Sequence, residues 1–216
     1  MRLFTSFHLP IGTIAIVATC AIIFVASLFF SLIFSHGVNQ INQYFAIGSW
    51  QYIQQNSLSI YTLITSIFFH ANFTHIAFNM LALLFMGSFL EGIIGTKRFL
   101  QVFFITGIVG GLAFLLETSI TGGISFALGA SGAIFGISGA LMILRPNVPV
   151  VVFPLPIPMP LWIAILLNLV VLYVLSFVLP IANSAHIGGL VAGLALGYLI
   201  KSSEQKKYEV KIEWTV

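Results

Sequence analysis

The sequence predicts an all-α polytopic membrane protein, a bundle of six transmembrane helices. Three observations carry this. Hydrophobic residues make up 59% of the chain and charged residues only 6%; a soluble domain carries about 25% charged residues, so this chain has too little polar surface to face water. The apolar residues fall into six runs separated by polar, glycine or proline punctuation. When these runs are threaded back and forth through a bilayer, all eight Lys and Arg land on one side, the bias that keeps basic loops cytoplasmic. The 216 residues suit a single membrane domain over 1–216. A net charge of +3 is too small to point to nucleic acid. The lone Cys20 lies inside the first run and excludes an intramolecular disulfide.

Met1 to Pro10 is a short leader carrying Arg2. Residues 11–34 form the first span. This run is too long for a signal-peptide core and has no small-x-small pattern before His36, so it reads as a retained helix. The outer loop, 36–74, has no Lys, Arg, Asp or Glu but holds Tyr44, Phe45, Trp50, Tyr52 and Tyr61. Rings with polar tips settle at the headgroup level, so the loop is expected to be structured and to lie partly in the outer leaflet. Span two, 75–90, is followed by Glu91, Gly95, Lys97 and Arg98. Span three, 99–116, leads into Glu117 and a Gly/Ser/Thr connection at 118–125. Span four, 131–144, ends at Arg145. Prolines at 146, 149, 154, 156, 158 and 160 make the next connector extended and not helical. Span five is 161–179, then a short loop at 180–185, span six at 186–200 and a charged tail at 201–216. No strand-period pattern or repeat is visible elsewhere. With Arg2, Lys97, Arg98, Arg145, Lys201, Lys206, Lys207 and Lys211 inside, the expectation is a multi-pass protein of the cell membrane with both termini cytoplasmic.

Spans two, four and six then run from outside to inside, and each opens on polar residues: His75 and Asn79, Ser131, and His186. Counted back from Glu91, Arg145 and Lys201, they lie at similar depths. Span four is about 21 Å long against a hydrocarbon core of about 30 Å, so Ser131 is expected about 9 Å below the outer surface. Polar groups at that depth face the bundle interior. Glycines tell which helices meet there. Gly129, Gly132 and Gly136 surround Ser131, and Gly189-x-x-x-Gly193-x-x-x-Gly197 stripes one face of span six, which lets another backbone approach closely. His186 shares that face and is brought toward Ser131, with Phe135 one turn below.

A serine hydroxyl becomes a nucleophile when a base takes its proton, and an imidazole suits that role. The first N–H groups of span four lack helix partners and form an anion site. His75 and Asn79, at i and i+4, either add side-chain donors to it or tie span two to the outer loop; the roles are compatible. The chain contains no Asp, and no Glu lies at this depth. A Ser-His-Asp triad is thereby excluded, and alanine at 133 excludes the Gly-x-Ser-x-Gly elbow. What remains is a Ser-His dyad. His70, His75 and His186 have no carboxylate or thiol companion, which argues against a metal, and no cofactor is expected. His70 reads as a loop hydrogen-bonding residue, His8 and His36 as interfacial. Glu91 with Lys97 and Arg98 reads as an inner-face structural cluster. A transporter would need ionisable groups along a whole path, whereas this polar cluster stops halfway.

At these residues the chain resembles the rhomboid family of intramembrane serine proteases. Gly129-Ala130-Ser131-Gly132 is similar to the family's nucleophile motif, Ala185-His186-x-x-Gly189-x-x-x-Gly193 to its base motif, and His75-x-x-x-Asn79 to its first polar element. The resemblance covers nearly the whole chain and implies a rhomboid-like six-helix bundle. It further implies hydrolysis of peptide bonds in or near the membrane segments of single-span proteins, in contact with the lipid bilayer. Ser131 would be the nucleophile and His186 the general base. His75, Asn79 and the Ser131 backbone N–H would stabilise the oxyanion, in a site open to the extracytoplasmic side. Substrate would enter between spans two and five, beneath the loop at 180–185. One departure concerns the outer loop: many members carry a Trp-Arg pair where this chain has Tyr61-Thr62. The alternative is a catalytically silent rhomboid-like protein that binds membrane clients.

Overall fold

The computed structural model describes residues 9–33, 38–152 and 155–213, without the side chains of 38–41, 152, 155–156 and 206–213. Arg2, His8 and His36 lie outside the described residues. The main helices are α1 (Ile11–Ile33), α2 (Phe73–Ile94), α3 (Thr96–Thr121), α4 (Ser131–Leu144), α5 (Leu161–Leu175) and α6 (Asn183–Glu213). Among the described residues, α1, α2, α3 and the Asn183–Gln205 part of α6 are long and apolar enough to cross a membrane, while α4 and α5 are shorter apolar helices. The molecule is a polytopic helical membrane protein.

Several helix ends differ from those the apolar runs suggest, because caps and prolines set them. Helix α2 starts at Phe73, where the Asn72 side chain accepts a hydrogen bond from the His75 N–H at 2.9 Å and caps the first turn. It widens into a π turn at Leu83–Gly87, the kind of irregularity that redirects a helix locally. Helix α5 stops at Leu175 and continues as turns over 176–178, and Pro180 disfavours helical backbone at Leu179. Helix α6 starts three residues ahead of His186.

The centre of the bundle is α4, buried continuously from Gly132 to Leu141. Helix α6 lies against it backbone to backbone. A Cβ at Gly189 would collide with the Gly132 carbonyl, one at Gly193 with the Gly136 carbonyl, and one at Gly139 with the Leu190 carbonyl. Helix α3 closes the other side, with Thr106 packed against Gly136 and Gly110 against the Ala185 carbonyl. By contrast α1 and α5 expose Ile22, Val25, Phe29, Val170 and Val174, as lipid-facing helices do.

The inner-face cluster around Glu91 is structural, and the groups that hold Glu91 in it are not Lys97 and Arg98. Glu91 is buried, and its carboxylate accepts hydrogen bonds from the backbone N–H groups of Gly12 and Thr13 at 2.9 and 2.8 Å. It also accepts from the hydroxyls of Thr13 and Thr96 at 2.8 and 2.7 Å. The orphan donors of a helix N-terminus, with the dipole behind them, are a better partner for a buried carboxylate than solvated cations. Arg98 turns instead to Glu204, 2.7 Å away. Glu91→Ala, which orphans these donors, is expected to cost about 2–4 kcal/mol of stability, read as a lower unfolding midpoint in a detergent titration; a parental midpoint contradicts the anchor.

The outer loop is folded. It carries short helices at Val38–Phe45 and Trp50–Gln55, a 3-10 turn at Ser57–Tyr61, and a helical turn at Thr62–Thr65. Side chains hold it through backbone carbonyls. Tyr61 Oη donates to Tyr44 O at 2.6 Å, Thr65 Oγ1 to Phe45 O at 3.0 Å, and Asn42 Nδ2 to His70 O at 3.0 Å. This is how the loop is anchored with Tyr61-Thr62 in place of a Trp-Arg pair. Strand β1 (Ile47–Gly48) pairs antiparallel with β2 (Phe126–Ala127), just ahead of α4. The proline-rich connector is extended as expected but also paired, β3 (Pro149–Val152) against β4 (Leu155–Pro160). Prolines at 156, 158 and 160 alternate along β4, so missing N–H groups fall on one edge and leave the other for pairing.

Candidate active site

Ser131 is the first residue of α4, and His186 sits in the first turn of α6. The glycine seam draws these two helix starts together. Ser131 Oγ lies 2.8 Å from His186 Nε2; in the tautomer with the ring proton on Nδ1, the hydroxyl donates to this nitrogen. Nδ1 is buried and has no partner among the described residues. The imidazole is held instead by packing: it stacks on Phe135, ring centroids 4.8 Å apart and planes at 27°. Gly132 makes room for this arrangement, since a Cβ there would press on the Ala185 carbonyl at 3.3 Å.

The N–H groups of Ser131 and Gly132 open α4 and have no partner within the helix. The turn leading to them is fixed by Gly129, whose φ of +119° lies in the region that suits glycine. Its own N–H donates to the Ser66 carbonyl at 2.8 Å, which ties this turn to the outer loop. A Cβ on Gly129 would stand 2.7 Å from His75 Nε2, so the His75 ring edge rests directly against the turn. The Ala71 N–H points at His75 Nδ1 over a long 3.5 Å, which favours the tautomer with its proton on Nε2, on the side of Gly129. Asn79, one turn below, is buried. Its Nδ2 donates to the His75 carbonyl at 2.8 Å, while Oδ1 is buried without a partner among the described residues. One of its two amide hydrogens is thus committed to its own helix. Both readings of these two residues have physical support, since Asn79 braces α2 and His75 faces the turn before Ser131.

His70 lies just outside, in the connection ahead of α2. It is fully buried, and its ring meets His75 edge-on at a centroid distance of 5.2 Å. Burial, with the His75 ring beside it, pushes His70 down to about 3. It is therefore neutral, with Nδ1 donating to the Phe68 carbonyl at 3.2 Å. This is the loop hydrogen-bonding role read from the sequence. The residues not singled out beforehand are Ser66, Thr106 and Gly110. Gly107-x-x-Gly110-Gly111 on α3 was the available signal: a second set of small residues, marking a third helix at the seam.

Comparison with known proteins bears on the family of the chain. A family model described as the Rhomboid domain matches residues 57–203. "Rhomboid protein 1, mitochondrial" of Saccharomyces cerevisiae is 28% identical over 76% of this chain and 51% of its own length. "Rhomboid protease GluP" of Bacillus subtilis is 34% identical over 70% of this chain and 26% of its own length. "Putative rhomboid protease YdcA" of Bacillus subtilis is 32% identical over 68% of this chain and 70% of its own length. The chain thus spans about half of the yeast relative and about a quarter of GluP. With the domain match covering most of the chain, it belongs to the rhomboid family.

Proposed function

We propose that this protein is an intramembrane serine endopeptidase, with Ser131 as nucleophile and His186 as general base and acid. The observation that carries the proposal is the 2.8 Å contact of Ser131 Oγ with His186 Nε2 at the mouth of two apolar helices. Relatives named as rhomboid proteases support the same reading. In this scheme Oγ attacks the scissile carbonyl while its proton passes to Nε2. The oxyanion is received by the Ser131 N–H, by His75 Nε2–H and by the remaining amide hydrogen of Asn79. His186 then returns the proton to the leaving amine, and water, deprotonated by the same nitrogen, releases the acyl group. Phe135 positions the imidazole in place of a carboxylate. Substrates are single-span membrane proteins, which reach the site from the lipid between α2 and α5. The basic ends at Lys97, Arg98, Arg145 and Lys201 face the cytoplasm, so the site opens to the other side.

The direct test is labelling by a fluorophosphonate probe, which requires an activated serine. The parent is expected to label, and Ser131→Ala and His186→Ala are not. A parent that stays unlabelled while binding membrane clients would make it a silent member of the family. Asn79→Ala separates the two roles of that residue. It is expected to lower kcat by about 10- to 100-fold, on the order of 1–3 kcal/mol of transition-state stabilisation, with KM little changed. Unchanged kcat with a lower unfolding midpoint would leave Asn79 with the bracing role alone.

A further inference from the structure

At the end of the bundle opposite Ser131, a groove of about 280 Å³ runs between α3 and α6. On α3 it is lined by Arg98, Gln101, Val102 and Ile105, and on α6 by Leu196, Leu199, Ile200 and Ser203. Both sets follow i, i+3, i+4, i+7 spacing, so each is one continuous helical stripe. The helices run in opposite directions, so Arg98 and Gln101 stand across from Ser203, and Ile105 across from Leu196. The groove is therefore polar at its outer lip and apolar along its length, over about 10 Å of helix. Leu199 and Ile105 are 61% and 44% exposed along it. The lip is cationic. Arg98 is flanked by exposed Lys97, and Lys201 follows Ile200. One guanidinium nitrogen, Nη1, bonds Glu204 at 2.7 Å, and the Ser203 hydroxyl donates to the Ile200 carbonyl. The Arg98 side chain remains 36% exposed.

We propose that this groove binds one anionic glycerophospholipid, its acyl chain lying along Ile105, Leu196 and Leu199 and its phosphate at Arg98. The occupant follows from the polarity gradient and the charge. A chain lying in lipid meets acyl chains along its length, and a phosphate-bearing headgroup of net negative charge complements a guanidinium at the membrane boundary. Basic pockets between transmembrane helices on the cytoplasmic side recognise anionic headgroups in this way. Glu204 is then a competitor for Arg98, which tempers the affinity. The site is independent of the catalytic reading, because it lies at the other end of α6.

The test is native mass spectrometry of the full chain released from detergent, with phosphatidylglycerol, phosphatidylcholine or inorganic phosphate added. Phosphatidylglycerol is expected to be retained at least five-fold better than phosphatidylcholine, and excess inorganic phosphate should not displace it. Arg98→Gln should abolish that preference, and Leu199→Trp, which fills the groove, should reduce retention of both lipids. Glu204→Gln is the deciding variant. It breaks the same ion pair as Arg98→Gln but frees the cation, so retention of phosphatidylglycerol should rise. Equal retention of the two lipids, displacement by phosphate alone, or a matching loss in Arg98→Gln and Glu204→Gln would overturn the proposal.

Discussion

Ser131→Ala is expected to reduce cleavage of a single-span substrate co-reconstituted in liposomes by about 10,000-fold or more, with the unfolding midpoint unchanged. The size follows from the chemistry: without Oγ no acyl intermediate forms, and removal of either member of a nucleophile–base unit costs nearly the whole of its contribution. His186→Ala should therefore fall as far, and the double variant little further. The stability half of the expectation follows from the packing. Ser131 is half-buried at the first position of α4, and its hydroxyl bonds His186 and no backbone carbonyl. Alanine is well tolerated there. Removal of the imidazole is less innocent, since His186 stacks on Phe135. His186→Phe keeps a ring in that place and removes the base, and it should be stable and inactive. Parental turnover in Ser131→Ala would refute the dyad, whereas lost turnover together with a collapsed midpoint would reduce Ser131 to a structural residue.

The second large effect is expected at Gly193. Its Cα faces the Gly136 carbonyl so closely that a Cβ has no space, and the atom it meets is backbone and cannot rotate away. Gly193→Val must push α6 off α4, which disturbs the seam all the way up to His186. A loss of about 3 kcal/mol or more is expected, at the upper end of overpacking effects, with cleavage lost as well. The midpoint of a detergent titration measures it. Gly92→Ala is the control, because a Cβ there meets nothing within 4 Å. Its midpoint should hold or rise slightly, as alanine favours helix. If both substitutions behave alike, the close approach of α4 and α6 is not what holds the bundle together.

The glycine seam is legible in the sequence because it is a periodic, one-dimensional property. A glycine every four residues marks a face. The glycine stripe points His186 toward Ser131 and Phe135, and the structure brings His186 into contact with both. The Glu91 contact was not readable. In sequence its neighbours are Lys97 and Arg98, yet in space it meets the start of α1, some eighty positions away. Asn79 shows the same limit: its spacing puts it on the His75 face, but only the coordinates reveal that one amide hydrogen goes to the His75 carbonyl. The extent of α5 was overestimated because apolarity continues past the last helical turn to Pro180.

Composition and periodicity by themselves determined that this chain is a helical membrane protein and which helix faces allow close approach. They could do so because lipid admits little else: backbone must be helical, charge must leave, and small residues must face other helices. The tertiary structure alone decided who partners whom. It gave Glu91 to a helix end, Arg98 to Glu204, the Gly129 turn to Ser66 and His75, and Thr106 of α3 to the seam. The physical reason is that a buried donor or acceptor is costly to leave unpaired, so partners are chosen by nearness in space, and nearness in space is not written along the chain.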